Sequence, residues 1–154
     1  MATGTEVPDH VVDYLNQHKT LTLASAGPGG DPHATTLVYV NDGGTLYIWL
    51  RQSAETARHL EGGSKVGFAI DEYAEDWRQT KGVQGGGECR PIEGEELGRA
   101  ADLFGQRFPD LRPGATSAVT FFRITPTKLH YIDNTTGAGE PDPDEYRRES
   151  VLEG

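Results

Sequence analysis

The stretch HATTLVYVNDGGTLYIWL, residues 33 to 50, constrains the fold more than any other part of the chain. It reads as two β-strands, HATTLVYV and TLYIWL, joined by a turn at Asn41-Asp42-Gly43-Gly44. Asparagine, aspartate and glycine tolerate the positive backbone angles of tight hairpin turns, so the turn fits the strands around it. The first strand carries apolar groups on both faces, so both need cover. Thr35 and Thr36 interrupt that apolar run, and His33 stands just before them.

The flanking sequence extends the sheet. VPDHVVDYLNQHK predicts a first helix, with Pro8 in its first turn and Val11, Val12 and Leu15 on one face. TLTLASA follows as a strand and GPGGDP as a turn, so the first three strands are expected to form an antiparallel meander. SAETARHLEGG predicts a short helix with Ser53 as its N-cap and Gly62 at its end. SKVGFAID is a fourth strand, EYAEDWRQ is irregular, and the glycine-rich TKGVQGGGECRPIE is a fifth strand, bent or bulged. GEELGRAADLFGQRFPDL predicts a helix with a stripe of Leu97, Ala101 and Phe104, stopped with the help of Pro109. SAVTFFRI and TKLHYIDN complete the sheet, with a break at Pro126. The expectation is a mainly β, α+β single domain over 1–154, with six or seven mostly antiparallel strands in a small barrel or curved sheet and short helices between them. Residues 1–7 and the polar stretch 141–154 are expected to be loose or extended tails.

Composition removes several classes of function. The 154 residues carry a formal net charge of −10, and the 14 lysines and arginines are scattered. Nucleic acid and anionic membranes are therefore disfavoured, although two or three local cations suffice for one small phosphate. Cys89 is the single cysteine, so no intrachain disulfide exists, and its strand position suits a small buried hydrophobe. No apolar run approaches the length of a membrane span and MATGTEVPDH lacks an apolar signal core, so a cytoplasmic location is expected.

Few motifs carry chemistry. No Gly-x-Ser-x-Gly elbow is present. The five histidines show no His-x-His or His-x-x-x-His spacing, and no metal site is legible, although His33 and His59 can converge in space. The carboxylate pairs Asp71-Glu72, Glu75-Asp76 and Glu95-Glu96 read as solvated faces in so acidic a chain. The glycines at 85 to 87 lie within a strand and lack a following helix to present amides, so they read as a bend rather than a phosphate cradle. LRQSAETARH gathers Arg51, Ser53, Thr56 and Arg58 at a helix entrance, which reads as an ordinary capped surface helix or an anion site.

Six motifs in order carry a resemblance: PHATTL at 32–37, TARH at 56–59, KGVQ at 81–84, GE at 87–88, RFP at 107–109 and DNTTGAG at 133–139. With the order of elements, they resemble the pyridoxamine 5'-phosphate oxidase-like FMN-binding split-barrel superfamily, and within it a bacterial subfamily. The resemblance implies a split β-barrel, a homodimer, and FMN in a groove at the dimer interface, with the HATTLVYV strand beneath the flavin and buried on both faces. It sets Thr35, Thr36, Trp49 and Leu50 along the flavin. Ser53, Thr56, Arg58, His59 and His33 fall toward the phosphate end, and Lys81 or Gln84 near the ring. Two positions depart from the pattern: Thr56 stands where flavin-binding members carry a lysine, and Glu140 where relatives carry another.

The reading that follows is an FMN-binding oxidoreductase of unidentified substrate. Oxidation of pyridoxamine phosphate itself is disfavoured, because no second basic cluster is legible. A flavin or quinone reductase-like activity fits better, with His33, His59 and Tyr39 acid–base candidates by residue type alone. Use of a deazaflavin coenzyme, or a non-catalytic dimer that holds haem or flavin, are the alternatives.

Overall fold

The computed structural model describes residues 6–72 and 74–154 of the chain. Three helices, α1 (Asp9–Gln17), α2 (Glu55–Leu60) and α3 (Gly94–Arg107), accompany eight strands. The strands are β1 (Thr20–Ala26), β2 (Pro32–Val38), β3 (Val40–Asp42), β4 (Thr45–Arg51), β5 (Ser64–Asp71), β6 (Lys81–Pro91), β7 (Val119–Asp133) and β8 (Arg148–Glu153). All pair antiparallel in one sheet, in the order β2-β1-β5-β6-β7-β4-β3, with β8 also on β7. The mainly β architecture with short helices is the expected one. No helix among the described residues is long and apolar enough to cross a membrane.

The meander is corrected. HATTLVYV is not one strand: it breaks at Tyr39, so β2 pairs with β1 while β3 turns through the glycine turn onto β4. A single residue thus carries the chain from one end of the sheet order to the other. The two ends must therefore approach each other, which curls the sheet into a barrel that stays open between β2 and β4. Tyr39 is fully buried at this corner, and its hydroxyl donates to the Leu15 carbonyl (2.6 Å). Arg107, from RFP, donates to the carbonyls of Tyr39 and His18 and to Asn41 Oδ1 (2.8 Å), and its guanidinium lies over the Tyr39 ring.

Two apolar clusters flank this corner. The larger fills the barrel with Leu21, Leu23, Leu46, Ile48, Phe68, Ile70, Val83, Phe122 and Ile124, together with Cys89. The smaller joins Val40, Tyr47 and Phe121 to Ala100 and Phe104 of α3. Alternate residues of β4 serve the two clusters, which accounts for its apolar character on both faces. The stripe on α3 holds at Leu97 and Phe104, but its middle residue is Ala100, which is buried, and not Ala101, which is exposed. Glu96 is not solvated as expected: it accepts from Arg123 (2.6 Å) and from the Tyr47 hydroxyl (3.0 Å).

Two further expectations change on β7. Pro126 does not break it: it lies opposite Gly87, next to a register shift at which the ladder skips Thr127 of β7, and a bulge tolerates a residue without an N–H. The region 141–154 is not a loose tail throughout, since β8 pairs along β7 from Lys128 to Ile132. The expectation for 1–7 falls mainly on residues 1–5, outside the described residues.

Candidate functional site

The opening between β2 and β4 is a groove of about 450 Å³. It is lined by Thr35, Thr36, Leu37 and Val38 from β2, Trp49, Leu50 and Arg51 from β4, and by Ala54 and Leu111. Four residues separated by up to fifteen positions, Thr35, Thr36, Trp49 and Leu50, therefore meet as the sequence predicted. Strand β2 is not buried on both faces in the single chain: Thr36 is exposed and Thr35 half-buried. The groove is chiefly apolar, with Thr35 and Thr36 on one wall and Arg51 at the end of the other. Trp49 Nε1 is buried without a hydrogen-bond partner. A ligand acceptor would satisfy that donor.

The other predicted residues fall in three places. Ser53, Thr56 and Arg58 lie on the loop and helix after β4. Ser53 is not the N-cap expected of it: Ala54 occupies that position, and no side chain caps the helix. Arg58 is exposed and donates back to the Ser53 carbonyl (3.0 Å), so it closes its own loop rather than facing the groove. Lys81 and Gln84 lie on β6, near the middle of the sheet order, and line a different pocket with Asp71, Ile132 and Tyr146. Lys81 also lines a polar cavity of about 550 Å³ with His10, Tyr14 and Glu72. The structure does not bring either residue to the groove within one chain. Glu140 is paired with Arg78 (2.7 Å).

His33 and His59 do converge. Their ring centroids are 5.1 Å apart, and Glu55 Oε2 lies 3.9 Å from the Nε2 of each. One potential ligand atom from each of His33, Glu55 and His59 falls within a 4.8 Å span. Asp31 Oδ2 is 3.8 Å from His33 Nε2. Gly27 makes the approach possible: a Cβ there would stand 2.7 Å from His59 Cε1 and 3.2 Å from His33 Nε2.

Acid–base chemistry finds little support elsewhere. Tyr39 is removed as a candidate by its burial, which raises its pKa against the lowering effect of Arg107. Burial pushes the Cys89 thiol up to about 12, so it is neither nucleophile nor ligand at neutral pH. The residues that sequence reasoning left out of the groove are Leu37, Val38, Arg51, Ala54 and Leu111. Arg51 alone carried a signal, as the cation ending β4 in LRQS.

Residues 7–133 match the family model described as pyridoxamine 5'-phosphate oxidase. No curated protein matches the chain. Among solved structures, a conserved hypothetical protein of Mycobacterium tuberculosis aligns with a TM-score of 0.72 at 18% identity, over 94% of this chain and 100% of its own. A haem storage protein of Vibrio cholerae aligns at 0.65 and 21% identity, over 79% and 92%. An FAD-binding protein of Mycobacterium smegmatis aligns at 0.63 and 18%, over 80% and 92%. At these identities the likeness establishes the split-barrel fold.

Proposed function

The chain belongs to the pyridoxamine 5'-phosphate oxidase family, and on that footing we propose that it is a flavin-dependent oxidoreductase binding FMN in the groove between β2 and β4. One observation carries the reading: Thr35, Thr36, Trp49 and Leu50, set along a flavin by the sequence resemblance, line a single groove. Its volume lies within the range of about 300–1,000 Å³ usual for small-molecule sites. Trp49 and Leu50 supply apolar cover for the ring, and the hydroxyls of Thr35 and Thr36 supply polar partners for its edge or the ribityl chain. Arg51, the single cation among the groove-lining residues, is assigned the phosphate in place of the lysine that Thr56 replaces. The flavin supplies the electron and hydride transfer, and the chain orients it and keeps water from it. We assign the chain to a homodimer, in which Lys81 and Gln84 of a second copy would reach a flavin in this groove, and we place that dimer in the cytoplasm.

Haem is the second reading, since structural neighbours include haem proteins. The groove disfavours it: none of its lining residues is a histidine, cysteine, methionine or tyrosine able to ligate iron axially. A deazaflavin coenzyme, with its longer anionic tail, needs more cations than Arg51.

The test is FMN titration of cofactor-free protein, followed by flavin fluorescence. Wild type is expected to bind, with Arg51→Ala weakening binding about tenfold or more, as loss of a charge-assisted hydrogen bond predicts. Thr56→Lys is expected to tighten binding and Arg58→Ala to leave it unchanged. Absence of FMN binding beside a haem absorption band would overturn the flavin reading in favour of haem.

A further inference from the structure

We propose that His33, His59 and Glu55, with Asp31 beside them, form a binding site for a divalent cation of the zinc class. The elements that build it are unrelated in sequence. His33 projects from β2, His59 and Glu55 stand one turn apart on α2, and Asp31 precedes β2. Glu55 Oε2 is equidistant from the two Nε2 atoms at 3.9 Å, and Asp31 Oδ2 is 3.8 Å from the first of them. Tetrahedral zinc with bonds of about 2.0–2.1 Å sets its ligand atoms about 3.4 Å apart, so Glu55 closes on each imidazole by about half an ångström within a group whose ligand atoms lie within 4.8 Å of one another. Glu55 and Asp31 are largely exposed, and these two side chains make the movement and leave an entry path.

A second observation points to a ligand independently of this spacing. His33 Nε2, His59 Nδ1 and Ser25 Oγ are all buried without a hydrogen-bond partner. They share one corner, because Ser25 is the register partner of His33 across β1 and β2, and the His33 ring neighbours His59. The Ser25 side is deeply buried, at 8% exposure. Buried polar atoms are nearly always satisfied, and His33 Nε2 is the orphan that a cation between the two Nε2 atoms would satisfy. A Cβ on Gly27 would stand 3.1 Å from His59 Nε2 and 3.2 Å from His33 Nε2, so both nitrogens lie against the same bare backbone position. Two neutral imidazoles with one or two carboxylates form a donor set suited to zinc, cobalt, nickel or iron and unsuited to the all-oxygen preference of calcium and magnesium. Two carboxylates offset the charge of one dication.

This proposal does not depend on flavin binding, and its test uses none. Full-length protein stripped with a chelator is titrated with Zn²⁺ and Co²⁺, with stoichiometry from elemental analysis and geometry from the Co²⁺ visible spectrum. One ion per chain is expected, with intense low-symmetry cobalt bands. Glu55→Gln, an exposed and fold-neutral change, is expected to weaken binding about tenfold or more, and His33→Ala to abolish it. His10→Ala removes the rival surface pair of His10 and Glu149 and is expected to leave binding unchanged. Wild-type affinity in Glu55→Gln and His33→Ala, or loss of binding in His10→Ala, overturns the proposal. So does failure of the wild type to retain either metal, in which case the three orphaned atoms are satisfied by water.

Discussion

Gly87→Ala tests whether the triple glycine is a structural bend. An added Cβ at Gly87 would stand 2.1 Å from the Thr125 carbonyl oxygen and 2.8 Å from Pro126 Cα. Ordinary contact begins near 3.4 Å, so backbone must move by about 1.3 Å, the difference of the two distances. Both clashing partners are main-chain atoms of β7 paired directly with β6, and β7 is held on its other edge by β4 up to Ile124 and by β8 from Lys128. Overpacking typically costs about 1–3 kcal/mol, and a clash against main chain belongs at or above the upper end. A loss of about 3 kcal/mol is a large share of a total of about 5–15 kcal/mol. The assay is urea unfolding, read as the shift in midpoint at constant slope. Two controls bound the result. Gly86→Ala meets only the Val66 carbonyl, at 3.1 Å, and should cost less. Gly98→Ala, in α3 with nothing within 4 Å, should stabilise by up to about 1 kcal/mol through helix propensity. A Gly87→Ala protein within about 1 kcal/mol of wild type that had lost FMN binding would refute the bend and restore the phosphate cradle.

Arg107→Met keeps most of the side-chain stem but withdraws the donors that reach the Tyr39 and His18 carbonyls and Asn41 Oδ1. Leaving one buried acceptor short costs about 1–3 kcal/mol, so thermal and urea unfolding should show a loss of that order. Arg107→Lys should recover less than half of it, because one ammonium cannot span three acceptors. Alkaline pH gives a separate prediction. Cys89 titrates at about 12 when folded against 9.0 as its ordinary value, so its protonated form is favoured by folding. Its contribution is therefore complete below about pH 9 and declines as pH rises toward 12, at about 1.4 kcal/mol per pH unit. Stability measured against pH should fall more steeply in wild type than in Cys89→Ala across that window, and parallel curves would count against it. Tyr14 and Tyr39, also raised by burial, add a decline that begins above their ordinary value of 10.0, within the same window, and is common to both proteins.

What the sequence made legible was local. The limits of β1 and β5, the bulge in the glycine run, the burial of Cys89 and the partnership of Thr35 and Thr36 with Trp49 and Leu50 all follow from residue pattern or family motif. What it concealed depends on contacts distant in sequence. Nothing in HATTLVYV announces a break at Tyr39, because the break is imposed by a hydrogen bond to Leu15 and by Arg107, 68 positions away. Pro126 reads as a strand breaker until Gly87 is seen opposite it. The polar RESVLE becomes a strand because β7 offers it a free edge. The convergence of His33 with His59 likewise needs α2 to fold back over the end of β1, where Gly27 leaves room for both rings.

The same corner explains why a groove exists here at all. If HATTLVYV continued straight into the glycine turn, β2 would hydrogen-bond along β4 and the wall between them would be closed. The break at Tyr39 instead sends β2 to β1 and leaves β4 to β3 and β7. Thr35, Thr36, Trp49 and Leu50 are thereby held as opposing walls rather than as cross-strand neighbours. The side chains that secure the break, Tyr39, Asn41 and Arg107, line none of the groove. The groove walls and the residues that close the barrel are thus separate sets, and residues lining the groove can change without altering how the sheet folds.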